Sequence, residues 1–116
     1  MSKKTEWLKF VRTVTAPLEH CSERLSHGTP SWFVKKSKCF ASLADNHHGD
    51  GRLALWLCAT LDAQQLLVNA EPKHFFLPAY VAHLGWIGVR LDKGIGKKKV
   101  KALLEQAWSV RLGITR

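Results

Sequence analysis

His83-Leu84-Gly85-Trp86-Ile87-Gly88-Val89-Arg90-Leu91, continuing into Gly94-Ile95-Gly96-Lys97-Lys98-Lys99, is the stretch whose reading decides the fold. Ile87, Val89 and Leu91 alternate with Trp86, Gly88 and Arg90, the period-2 pattern of a strand with one buried face. Two glycines then hand over to a helix that opens with three lysines. A helix start carries partial positive charge and unpaired N–H groups, so each cation there is disfavoured by roughly 0.3–1 kcal/mol. Three lysines in that place are either a solvated charge run or a seat for an anion.

Working outward, residues 97–112 form the clearest helix. Val100, Leu103, Leu104, Ala107, Trp108 and Leu112 make one apolar stripe, with Lys97, Lys101, Glu105 and Ser109 opposite and Gly113 as a C-terminal stop. At the other end, Trp7, Phe10, Val11 and Val14 mark an amphipathic helix over residues 5–15, with Thr5 as its N-cap. A short helical turn is expected from Pro17 through Leu25, followed by turn chemistry at Ser26-His27-Gly28-Thr29-Pro30. Three strands are read at Ser31–Lys35, Lys38–Ala44 and Arg52–Cys58, the second placing Cys39, Ala41 and Leu43 on one face and Phe40 and Ser42 on the other. Leu61–Val68 reads as a helix capped by Thr60, with Leu66 and Leu67 facing inward, and Phe75-Phe76-Leu77 as a brief extended segment.

The order is therefore α-β-β-β-α-β-β-α in a single domain, residues 1–116, without repeats or linkers. Short connections imply a two-layer α/β (α+β) sandwich whose sheet is mostly antiparallel, with the helices on one face.

Eighteen Lys and Arg against nine Asp and Glu leave a net charge of +9 on 116 residues. Such a balance favours acidic partners, namely nucleic acid, an anionic membrane surface or an acidic protein. Cys21, Cys39 and Cys58 are odd in number and far apart, which suggests neither a disulfide framework nor a zinc module. With no secretory pattern at the N-terminus and no apolar run long enough to span a bilayer, the expectation is a cytoplasmic protein without membrane contact.

Phe75-Phe76-Leu77-Pro78-Ala79-Tyr80-Val81, then Gly85-Trp86-Ile87-Gly88-Val89-Arg90-Leu91-Asp92, then Ala107-Trp108 in the last helix, resemble the MmcQ/YjbR-like family. Lys38-Cys39-Phe40-Ala41 after His27-Gly28-Thr29-Pro30 also matches that family's first hairpin, so the likeness runs from about residue 6 to residue 112. The resemblance implies a small bacterial protein with a double-wing α/β fold, similar to that of secretion chaperones and described as DNA-binding. It implies no catalytic residues and no cofactor. The chain departs from the family in opening its last helix with Gly96-Lys97-Lys98-Lys99 and in carrying Trp108 and Trp56 where the family has Tyr and Lys.

The candidate nucleic-acid contacts are Lys97, Lys98, Lys99 and Lys101 at the last helix, Lys35, Lys36 and Lys38 at the first hairpin, and Arg90 with Trp86 on the decisive strand. The lysines suit phosphate oxygens, against the alternatives of a solvated run and of an edge that discourages aggregation. Trp86 and Arg90 suit stacked unpaired bases or a homodimer interface, with Trp56 or Trp32 as neighbours; a plain core role for Trp86 stands beside these. Six histidines show no ligand spacing, so no metal is expected. The expected function is non-enzymatic binding of nucleic acid, DNA more than RNA, with low sequence specificity. The alternative is a protein-interaction module, dimerising or holding a peptide through a helix-free sheet face.

Overall fold

A computed structural model gives the structure of residues 2–113. In chain order these form α1 (Lys3–Thr15), β1 (Cys21–Ser26), β2 (Thr29–Val34), β3 (Lys38–Asp45), β4 (Leu53–Leu57), α2 (Leu61–Ala70), β5 (Phe75–Phe76), β6 (Ile87–Arg90) and α3 (Lys97–Leu112). Single 3-10 turns lie at His47–Gly49 and Ala82–Leu84. The six strands form one sheet in the order β1-β2-β3-β4-β6-β5, every neighbouring pair antiparallel.

The decisive strand behaves as its alternation requires. Ile87 and Val89 are buried in the main core, and so is Leu91 just beyond β6. Opposite them on β4, Leu55 pairs with Val89 and Leu57 with Ile87, and both are buried in the same core. α1 and α3 pack against each other over this face, closing the core with Trp7, Val11 and Val14 from one and Val100, Leu104 and Ala107 from the other. Each of these buried valines and leucines contributes about 1.5–3 kcal/mol. Gly113 ends α3 in the left-handed conformation, its N–H bonded to the carbonyls of Ser109 and Val110.

Several expectations are corrected. Residues 21–26 are an edge strand rather than a helical turn. Their side chains are mostly exposed and carry no alternation, so only pairing with β2 reveals them. The N-cap of α1 is Ser2, whose hydroxyl accepts from the Thr5 N–H. On α2 Leu66 is exposed and Gln64 buried. On α3 Ser109 is buried rather than outward. Strand β3 breaks period 2: Trp32 pairs with Ala41 but Phe33 with Cys39, so Phe40 is the extra residue of a β-bulge. Phe40 and Ala41 thereby both enter the core, while Cys39 and Ser42 turn to the other face.

That other face has no helix-derived core. Phe33, Ala44 and Ala54 are buried yet lie outside the main cluster. Gly88 sits there beneath Phe76: a Cβ on Gly88 would lie 2.4–2.6 Å from the end of the Phe76 ring. The ring in turn carries the Arg52 guanidinium 4.1 Å from its centroid. Gly88→Ala is therefore expected to push the ring off the sheet and destabilise the fold by about 1–3 kcal/mol. In a Phe76→Ala background the same substitution should cost clearly less, and equal costs by urea denaturation would refute the overlap.

Candidate functional site

The helix-free face of the sheet holds a cleft of about 800 Å³, within the range of small-ligand sites. Its floor is set by small side chains, Cys39, Ser42 and Ala44 on β3 and Thr29 on β2, and one wall by Trp56 of β4. Trp86, Tyr80 and the His47-His48 turn complete it. The His47 ring lies 4.6 Å from that of Trp56 and 6.1 Å from that of Tyr80, and the Tyr80 hydroxyl is 3.4 Å from His48 Nε2. The residues lining the cleft include two tryptophans, a tyrosine and three histidines but no carboxylate.

Local structure holds these walls in place. Gln64, buried on α2, donates from Nε2 to the carbonyls of Ala82 (2.8 Å) and Trp86 (2.6 Å), tying the segment between β5 and β6 to the helix. Gly85 permits the close approach, since a Cβ there would meet the Ala59 carbonyl oxygen at 2.8 Å and the residue has a φ of +95°. Non-glycine residues with positive φ gather round the cleft: His27, His48 and Tyr80 are all left-handed, a conformation uncommon for such side chains. Trp56 Nε1 is buried without a hydrogen-bond partner.

Of the sequence candidates, Trp86 and Trp56 do share this site, whereas Trp32 is buried in the core on the opposite face. Arg90 shares the face, but its guanidinium forms a two-point ion pair with Asp92, Nε to Oδ1 at 3.0 Å and Nη2 to Oδ2 at 2.9 Å. The charge proposed for phosphate is thus already met. Lys99 is likewise withdrawn, its ammonium bound to the Glu71 carboxylate. Lys97, Lys98 and Lys101 are exposed and form no ion pair among the described residues, although Lys97 lies 5.8 Å from the Phe10 ring centroid.

Lys35, Lys36 and Lys38 are exposed at the β2–β3 turn, where Lys35 and Lys36 are both left-handed. Arg24 holds this turn by donating to the Lys36 carbonyl at 2.6 Å, its guanidinium 3.6 Å above the Phe33 ring. The two lysine groups do not converge. Arg111, in the last turn of α3, donates to the Cys39 carbonyl beside the hairpin, so the hairpin and the α3 start lie at opposite ends of that helix, about 20 Å apart.

His47, His48, Tyr80, Thr29 and Ser42 were not foreseen as site residues. No spacing signals them, because two separate loops and two strands bring them together. Two of the thiols offer little nucleophilicity: burial, helped by Glu23, pushes Cys21 up to about 11, and burial also raises Cys58. Among the described residues no three His, Cys, Asp or Glu side chains are grouped to hold a metal ion. None of the described helices is long and apolar enough to cross a membrane.

The YjbR family model matches residues 16–110 of the chain. The crystal structure of Deinococcus radiodurans protein DR2400, a DUF419 domain, superposes with a TM-score of 0.74 at 22% identity, covering 94% of this chain and 82% of that one. At that identity the likeness speaks for the fold: three helices beside an open antiparallel sheet. No curated protein matches the chain.

The Arg90–Asp92 pair makes a pH-dependent contribution. Hydrogen bonding from Arg90 holds the Asp92 carboxyl below its ordinary value, against the opposing effect of burial. A depressed carboxylate stabilises the fold above its unfolded value, near 4, and that contribution is lost as the pH falls through the lower folded value. Asp92→Asn should therefore cost about 1 kcal/mol at pH 7. By urea denaturation the gap to wild type should stay constant down to about pH 5 and narrow below about pH 4. A gap that persists undiminished at pH 2 would contradict the ion-pair origin.

Proposed function

The chain belongs to the YjbR family, and on that premise we propose that it binds nucleic acid, DNA in preference to RNA, by phosphate contacts and without catalysing a reaction. One observation carries this reading: the positive excess is concentrated on side chains that the fold does not use. Asp45, Glu23, Asp50, Glu71 and Asp92 are each engaged with a cation of their own chain. Lys97, Lys98 and Lys101 at one end of α3, and Lys35, Lys36 and Lys38 at the other, are exposed and outside those pairs. Ammonium groups left in this way release condensed counterions when they meet phosphates, which supplies affinity without reading sequence.

The hairpin supports the reading further. Two successive lysines in the left-handed region cost roughly 1 kcal/mol or more each relative to glycine, although glycine would suit such a turn. Side chains kept at strained positions are often retained for what they contact.

Two measurements test this. Neutralising Lys97, Lys98 and Lys101 together to Gln should weaken binding to a labelled duplex at least tenfold at low salt. The slope of log affinity against log salt should become shallower by about 0.9 for each phosphate that is no longer neutralised. Unchanged affinity and slope would remove the α3 start from the interface. Separately, Lys36→Gly should leave the protein as stable as wild type or up to about 1 kcal/mol more stable, while weakening duplex binding severalfold. A variant that binds as well as wild type would leave the hairpin charge without a role.

A further inference from the structure

We propose that the cleft on the helix-free face receives an unpaired nucleobase of a single-stranded segment, so that this protein prefers single-stranded to fully paired nucleic acid. The inference rests on the nucleic-acid reading above and assigns it a second site, distinct from the lysines of α3.

Four observations select this occupant. The volume of about 800 Å³ suits small planar groups. Trp56, Trp86, Tyr80 and the paired His47 and His48 rings present aromatic surface at the cleft, and base–aromatic stacking tolerates any base because every base has a π-face. The lining offers hydroxyl and imidazole groups and no carboxylate, which fits a ligand rich in acceptors and flanked by phosphates. Finally, the cleft adjoins the cationic hairpin: Cys39 on its floor directly follows Lys38, and Arg24, above Phe33 on this same face, is bonded to the Lys36 carbonyl. A strand whose base enters the cleft thus meets lysines at the next phosphates. A second copy of this chain is a poor occupant, because it brings another +9 charge to the same surface. A paired base cannot enter, since both of its faces are stacked in the duplex.

The test uses the full chain with a labelled oligothymidylate and a blunt duplex at one fixed salt concentration, in wild type, Tyr80→Ala and Trp56→Leu. Tyr80 is largely exposed, so its removal leaves the core intact; melting curves check the Trp56 variant. Modification of Cys39 by a thiol reagent, located by mass spectrometry, reports occupancy of the cleft floor. The single strand should bind about tenfold more tightly than the duplex, and each cleft variant should weaken it about tenfold while leaving duplex affinity unchanged. Saturating oligothymidylate should slow Cys39 modification and the duplex should not.

Equal affinity for both forms, with no effect of Tyr80→Ala and no protection of Cys39, overturns the cleft proposal and leaves the lysine reading standing. Absence of binding to either form overturns both. A dimer seen in sizing and disrupted by Tyr80→Ala, without single-strand preference, overturns the base in favour of a second copy. Protection of Cys39 by an acidic peptide and not by the oligonucleotide overturns it in favour of a protein partner.

Discussion

Two helices laid against one side of a six-stranded sheet leave its other side to be managed by strands and loops alone. α1 and α3 seal the first face around Leu55, Val89 and Leu104, each fully buried. On the second face the strands bring Phe33, Trp56 and Phe76 together with small residues, and the two outer rings are covered by the guanidinium groups of Arg24 and Arg52. Arginine suits this task, since it stacks flat on a ring while keeping its charge hydrated. Between those two covered rings the small side chains of β3 leave a hollow, and the loop tips at His47-His48 and Tyr80 rise around it. The cleft is thus a consequence of the layer architecture, and its aromatic character follows from the residues needed to shield an uncovered sheet.

Electrostatics divides the chain's excess charge into two populations. One is structural, joining elements distant in sequence: Arg12 to Glu23 ties α1 to β1, Lys99 to Glu71 ties α3 to the end of α2, and Lys4 to Asp45 ties α1 to β3. Exposed pairs of this kind contribute little stability individually, but they decide which cations remain available. The other population is what is left outside these pairs: the lysines of the hairpin and the α3 start, together with the exposed Lys3, Lys9, Lys73 and Lys93. Sequence position alone does not separate the two, since Lys98 and Lys99 are neighbours and only Lys99 reaches a carboxylate.

On the second face, polar contacts add to the packing of Phe76 on Gly88 and of the buried Phe33, Ala44 and Ala54. The Gln64 amide bridges two carbonyls of a segment that has little regular structure of its own. Leaving those carbonyls unpaired would cost about 1–3 kcal/mol each, so the helix position that hydropathy would assign to a leucine goes to glutamine. This explains why Leu66 faces solvent and why the apolar stripe of α2 is a poor guide to its orientation.

Local pattern by itself determined the decisive strand at residues 87–90, the closing helix with its Gly113 stop, the α2 cap at Thr60 and the antiparallel two-layer architecture. These follow from periodicity and capping, which act over a few residues. The edge strand β1 escaped notice because a polar edge is stabilised by backbone pairing with β2, which leaves no mark in its side chains. The bulge at Phe40 shifted β3 by one residue, and a single-residue slip exchanges the two faces of a strand, so Cys39 and Ala41 could not be sorted from alternation. Tertiary structure alone decided the rest: which lysines have carboxylates, that Arg90 is answered by Asp92, and that residues between 26 and 86 meet in one cleft. Each depends on distances between segments far apart in the chain, and no short-range rule encodes such distances.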